Sequence, residues 1–149
     1  MQRCGDILLS IRRLVKLYDR YMEETRSHHG LSQLEITIIS FLHNNPGRDT
    51  ARDICETRML PKGNVSQGVD SLMQKELLVR TVDSVDRRRM HLALTEKAKP
   101  IVEDVERAKE AFYRRNFACF TAEELRFYAD MSARIAGNIL RDLEEGSGT

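Results

Sequence analysis

The chain has 149 residues, with 24 basic and 23 acidic side chains and a formal net charge of +1. That is the length of one domain with enough bulk to bury a core, and 41% hydrophobic with 32% charged residues is an ordinary globular composition. No apolar run approaches about 18 residues and no apolar stretch follows Met1-Gln2-Arg3-Cys4, so no membrane span or signal peptide is expected and the chain is read as cytoplasmic.

Apolar residues at Leu8, Ile11, Val15, Tyr18 and Met22, with a second set at Ile7, Leu14 and Tyr21, predict a helix from about Asp6 to His28. Its stripe is wide, as suits a helix packed on its own domain and on another subunit. Gly30 ends it. Ser32-Gln33-Leu34-Glu35 is a capping box, and Leu34, Ile38, Phe41 and Leu42 favour helix despite the β-branched run Ile36-Thr37-Ile38-Ile39. Asn44-Asn45-Pro46-Gly47 is a stop.

Thr50-Ala51-Arg52-Asp53 is a second capping box, opening a short helix with Ala51, Ile54 and Cys55 inward that ends near Arg58. Pro61 suits a first helical position, because its missing N–H costs nothing there. The next helix continues through Val65, Val69, Leu72 and Met73 to about Lys75, with Gly63 and Gly68 weakening it. Two short helices joined by a tight turn read as a helix-turn-helix. Two strands, Leu77–Val82 and Met90–Thr95, flank the polar, arginine-rich Asp83–Arg89, which is a hairpin with a charged tip.

Thr95 can cap the following helix, whose inner face is Ile101, Val105, Ala108 and Phe112; Pro100 should kink or shorten it. Thr121-Ala122-Glu123-Glu124 is a third capping box, opening a last helix with Leu125, Tyr128, Ser132, Ile135, Ile139 and Leu143. The tail Gly146-Ser147-Gly148-Thr149 should fray.

Val65-Ser66-Gln67-Gly68-Val69-Asp70-Ser71-Leu72, then Leu77-Leu78-Val79-Arg80, then Asp86-Arg87-Arg88 followed by Leu92-Ala93-Leu94-Thr95, occur in that order between matching helices. Over nearly the whole chain this pattern resembles the MarR family of bacterial winged helix-turn-helix transcriptional regulators. The resemblance implies a mainly α fold with a small β-wing, read as one MarR-like domain over 1–149. A winged helix-turn-helix lobe at 31–95 holds a recognition helix at about 60–75 and a wing at about 78–95. A helical dimerisation lobe comes from 6–28 and 96–145. Two departures stand out. The family often has glycine where Glu76 stands, so a left-handed Glu76 would carry strain of about 1 kcal/mol. A second frequent glycine is Ala98 here.

The implied function is a repressor that binds double-stranded DNA at a pseudo-palindromic operator as a homodimer and is released by a small-molecule effector. A recognition helix presents its first turns to the major groove. Lys62, Asn64, Ser66 and Gln67 are the base-edge candidates, with adenine suiting the amides and guanine the lysine. For Ser66 a phosphate contact is favoured over a base edge. Arg87, Arg88 and Arg89 tip the wing, and inserted arginine suits a narrow A·T-rich minor groove. By resemblance Arg88 reaches deepest and Asp86 orients it through a charge-assisted hydrogen bond. Arg52 and Arg80 are phosphate candidates, and His91 is read as structural. The effector pocket implied by the resemblance draws on Tyr18, Tyr21, Met22, His28 and His29.

Other readings are weaker. Three scattered cysteines form no disulfide framework and have no zinc spacing. Cys4, beside Arg3, is the candidate for oxidant sensing, whereas Cys55 and Cys119 are expected to be buried. His28-His29 is a local pair of ligand type, but adjacent helical residues point different ways, so no metal or cofactor is expected. No phosphate loop, nucleophile elbow or metal triad points to an enzyme. A winged helix serving protein interaction is the alternative from another class.

Overall fold

The computed structural model of the chain describes residues 4–146, the Cys4 side chain excepted. Its elements are α1 (Cys4–His29), α2 (Gln33–Asn44), α3 (Ala51–Arg58), α4 (Lys62–Gln74), β1 (Leu78–Val82), β2 (Met90–Leu94), a 3-10 turn (Glu96–Ala98), α5 (Lys99–Phe117) and α6 (Ala122–Gly146). The fold is mainly helical with a small antiparallel wing, as expected. Two compact units meet within α5, one running to Phe112 and the other starting at Tyr113. Among the described residues no helix is long and apolar enough to cross a membrane.

In the first unit the core is built from Ile36, Ile38, Ile39 and Phe41 of α2, Ile54 of α3, and Val65, Val69 and Leu72 of α4. Leu78 and Leu92 of the hairpin and Ile101 and Val105 of α5 complete it. Both expected capping boxes form: Ser32 with Glu35 opens α2, and Thr50 with Asp53 opens α3. Gly68 is buried for a reason its helix propensity hides. A Cβ there would stand 2.5 Å from Ile38 Cδ1 and 3.1 Å from Leu34 Cγ. The absent side chain lets α2 and α4 approach closely.

Three local expectations change. Pro61 is the residue before α4, with extended ψ 139, rather than its first helical residue. Lys62 takes that place. Thr95 makes no side-chain cap; its hydroxyl donates instead to the Glu76 carbonyl at 2.7 Å. Pro100 causes no interior break, because the 3-10 turn ends at Ala98 and Pro100 falls in the first turn of α5, where no N–H is required. Glu76 is left-handed, with φ 60. It ends α4 in a Schellman arrangement: Leu77 N–H donates to Leu72 O (2.9 Å) and Glu76 N–H to Met73 O (3.0 Å). The paired backbone bonds hold the strained residue in place.

β1 and β2 pair antiparallel from Leu78 opposite Leu94 to Val82 opposite Met90. Both strands are one residue shorter than expected, at Leu77 and at Thr95. Of the long stripe on α1, Met22 is fully buried, while Tyr18 and Tyr21 meet Phe112 edge-on at 5.4 and 5.5 Å. Ile7, Leu8, Leu9, Ile11, Leu14 and Val15, nearer the N-terminus, are exposed.

In the second unit the expected third box forms at the start of α6: Thr121 N–H donates to Glu124 Oε2 (2.7 Å) and Glu124 N–H to Thr121 Oγ1 (3.2 Å). Among the described residues none of α6 is buried. Phe127, Tyr128, Met131, Ile135, Ile139, Leu140 and Leu143 stand exposed along it. Gly146 closes the helix; the rest of the expected frayed tail, 147–149, lies outside the described residues.

Candidate nucleic-acid interface

α4 has two faces. Val65, Gly68, Val69 and Leu72 are buried, and the spacing leaves Lys62, Asn64, Ser66 and Gln67 exposed. Among the described residues these four side chains make no hydrogen bond or ion pair. Lysine, two amides and a hydroxyl on the first turns therefore face solvent with donors and acceptors unspent, as base-edge or phosphate contact requires.

The far end of α4 is fixed by a buried ion cluster. Glu35, 3% exposed, accepts from Ser71 Oγ (2.5 Å), from Lys75 Nζ (2.9 Å to each oxygen) and from Ser32 N–H (2.8 Å). Burial by itself would raise the Glu35 pKa. The bonds from Ser71 and Ser32 and the ammonium of Lys75 more than offset it, and the pKa falls below the usual value. The same residue thus caps α2 and clamps α4. Sequence reading found only its capping role.

The wing tip is organised by two aspartates. Asp83 Oδ1 accepts from the N–H groups of Val85 and Asp86, both at 2.8 Å. Asp86 Oδ1 accepts from Arg88 N–H at 3.0 Å, and Arg89 N–H donates to the Asp86 carbonyl at 2.9 Å. Asp86 therefore holds Arg88 by its backbone, not by the charge-assisted bond expected to its guanidinium. Arg87, Arg88 and Arg89 are exposed.

His91 anchors the hairpin. Its Nδ1 lies 2.7 Å from Asp49 Oδ1 and its Nε2 lies 2.7 Å from Asp83 Oδ2. Two carboxylates, one on each ring nitrogen, call for a donor at both, which only the imidazolium supplies. Accordingly the His91 pKa is raised, by Asp83 and then Asp49. Asp83 is held far below the ordinary carboxylate range, chiefly by His91 and then by its two backbone donors. Leu92 N–H also donates to Asp49 O at 2.8 Å, so wing and loop are joined twice.

A groove of about 640 Å³ between the start of α3 and the wing is lined by Arg52, Asp53, Asp86, Arg88 and Arg89 among others. It gathers four residues singled out from the sequence. Arg52 is ion-paired with Glu56 at 2.7 Å and Arg80 with Asp70 at 3.2 Å, so a carboxylate competes with phosphate for each guanidinium while leaving other N–H donors open.

The pieces are a helix-turn-helix, a polar free face and an arginine-tipped wing. A family model described as the MarR family matches residues 29–89, which contain the helix-turn-helix and the wing tip. Two curated proteins of Bacillus subtilis match over most of both chains. The HTH-type transcriptional repressor MdtR is 27% identical over 135 residues, 91% of this chain and 86% of that one. The HTH-type transcriptional regulator MhqR is 25% identical over 132 residues, 89% and 90%. Over its helix-turn-helix and wing tip, the chain matches the MarR family. The chain also shares its fold with CouR of Rhodococcus jostii RHA1, solved bound to p-coumaroyl-CoA. That structure superposes with a TM-score of 0.76 at 22% identity over 91% of this chain and 96% of that one.

The expected pocket residues separate. Tyr21 and His28 line a groove of about 590 Å³ with Glu24, Thr25, Asp104, Arg107, Ala108 and Ala111. Met22 is fully buried in the core and Tyr18 packs partly against it. His29 Nε2 lies 2.6 Å from Asp104 Oδ2. Asp104 also pairs with Arg107, and the sequence carried no signal for it. Of the cysteines, Cys4 lies outside the described side chains. Cys119 is exposed and Cys55 half-buried, where burial was expected of both. Cys119 follows the end of α5 in a short turn, where its apolar neighbours Phe117 and Phe120 pack on each other instead of covering it.

Proposed function

We propose that the protein is a repressor that binds a pseudo-palindromic operator as a homodimer and is released by a small-molecule effector. The observation that carries this is the unspent polar face of α4, set beside the exposed Arg87, Arg88 and Arg89. Residues 31–95 are the DNA-binding lobe. Lys62, Asn64 and Gln67 read bases in the major groove, Ser66, Arg52 and Arg80 contact phosphates, and Arg88 enters the minor groove with Asp86 shaping its turn.

Residues 6–28 and 96–145 supply the dimer helices. The exposed apolar residues of α1 and those of α6 each form a surface that a single chain leaves wet. A two-fold dimer sets its recognition helices about 34–36 Å apart, one turn of the duplex. The groove containing Tyr21 and His28 receives the effector. CouR, a fold relative, is solved bound to p-coumaroyl-CoA, which supports an effector reading.

The test is Arg88→Ala, assayed by fluorescence anisotropy on operator DNA from upstream of the chain's own gene, with sedimentation in parallel. Affinity is expected to fall about tenfold, from a loss of about 1–2 kcal/mol, while the dimer persists. A monomeric wild type, unchanged affinity in the variant, or wild-type binding that competitor DNA and modest salt erase would overturn the reading.

A further inference from the structure

We propose that His28, His29 and Asp104 form a binding site for a divalent transition-metal ion of the zinc type, tying the end of α1 to α5. One ligand atom from each of the three lies within 4.8 Å of the others. His29 Nε2 and Asp104 Oδ2 are already 2.6 Å apart. The two histidine rings stand edge to face with centroids 4.7 Å apart, so neighbours in sequence converge on one carboxylate. Ligands that share one zinc ion at about 2.0–2.2 Å lie at most about 4.4 Å apart. Tetrahedral zinc ligands lie about 3.3–3.5 Å apart, so binding opens the His29–Asp104 hydrogen bond by less than about 1 Å, releasing its proton, and turns the exposed His28 ring inward.

The surroundings fit an ion that exchanges with solvent. His29 and Asp104 keep side-chain exposures of 16% and 20%, while His28 is open. Arg107 holds Asp104 through Oδ1, leaving Oδ2, the oxygen near His29, to face the ion. An outer partner of this kind orients a ligating carboxylate. Two imidazoles and one carboxylate make three protein ligands, leaving a place for water or for Glu24, which lines the same groove one turn before His28. Such a set favours zinc, nickel or cobalt over magnesium and calcium, which take oxygen ligands.

The position gives the ion a route to the recognition helix. Gly30, next to His29, has φ 62 and its carbonyl accepts from Lys75 Nζ at 3.1 Å. Lys75 follows α4 and pairs with Glu35, which in turn holds Ser71 of α4. An ion that fixes His29 therefore fixes the peptide to which the end of α4 is bonded. Regulation by this route rests on the repressor reading above; metal binding does not.

Zn(II) is the probe, titrated against a chromophoric chelator with the full chain, and Co(II) absorption reports the ligand set. One ion per chain is expected, with Mg(II) failing to compete. His28→Gln, an exposed change that spares the core, and Asp104→Asn should each weaken Zn(II) binding at least tenfold. They should also lose the Co(II) band, while His43→Gln, on the open side of α2, leaves both unchanged. No stoichiometric Zn(II) binding, or His28→Gln binding as the wild type does, overturns the site. Operator affinity is then measured with and without Zn(II). A change of about fivefold or more supports the coupling. Unchanged affinity with intact metal binding overturns the coupling, and intact metal binding with no operator binding overturns the repressor reading instead.

Discussion

Behind the polar face of α4 lie Val65, Val69 and Leu72, all within 1% of complete burial, and at its end lies the buried Glu35 cluster. In the wing, by contrast, none of the described residues 83–91 is buried. There the backbone is pinned by Asp83, Asp86 and the imidazolium of His91, all at the surface or half-exposed. Two elements that would touch the same DNA are thus held by different forces. Packing and a buried ion cluster hold the helix, and burial shields both from salt and from pH changes near neutrality. Charge and hydrogen bonding hold the wing, and these answer to both. On the proposed function, a rigid helix beside a tunable wing would let conditions alter wing contacts while leaving the α4 face intact.

The largest blow to the helix side should come from Leu72→Ala. Truncating a fully buried leucine costs about 2–5 kcal/mol, and urea unfolding should show it as a lower midpoint with an unchanged slope. Glu35→Gln keeps the shape but removes the charge from the cluster, at a cost of about 2 kcal/mol near neutral pH. The Glu35 pKa is lowered in the folded state, so its contribution is present above the unfolded value, about 4.3, and is lost as pH falls. The gap between wild type and variant should therefore begin to narrow near the unfolded value and close as pH falls through the lowered folded value; a gap unchanged from pH 7 down to about pH 2 would show that charge is not what Glu35 provides.

The two glycines of α4 sharpen the comparison further. Gly68→Ala must push into Ile38 and Leu34, an overpacking cost of about 1–3 kcal/mol against about 1 kcal/mol gained in helix propensity. A net loss near 1 kcal/mol is expected. Gly63→Ala meets nothing within 4 Å and should gain about 1 kcal/mol. Thermal melts that shift the same way for both would mean the α2–α4 approach is not limiting.

The smallest effect on global stability, and the one confined to the wing, concerns His91. Its pKa is raised, so the anchoring it provides is complete below the unfolded value of about 6.5 and is lost as pH rises through the higher folded value. Proton NMR should place the His91 midpoint above about 6.5. Exchange of the Val85, Asp86 and Arg88 amides should quicken as the ring deprotonates, and His91→Gln should remove that pH step. An unshifted midpoint would leave the wing held by its aspartates alone.

Much of the fold was legible. Ser32–Glu35, Thr50–Asp53 and Thr121–Glu124 place three helix starts within one residue, because a capping box is a contact between residues three apart. The left-handed Glu76 was anticipated from the glycine expected there, whereas Met59, also left-handed with φ 52, carried no comparable signal. At the candidate interface, α4 and the wing arginines were placed correctly on exposed surface. Their neighbours were not foreseen. Glu56 pairs with Arg52 one helical turn away, a local contact that helix spacing supplies, whereas Asp70, ten residues from Arg80, is selected only by the folded geometry.

The sequence by itself determined where helices begin, which face of α4 turns inward and that the hairpin tip is basic. These follow from periodicity and from interactions spanning a few residues. The tertiary structure alone decided that Gly68 abuts Ile38, that Lys75 reaches back to Glu35, that His91 lies between Asp49 and Asp83, and that Asp104 arrives beside His29 from 75 residues away. Such contacts form only after the core has collapsed, because until then the entropy of closing long loops keeps their partners apart.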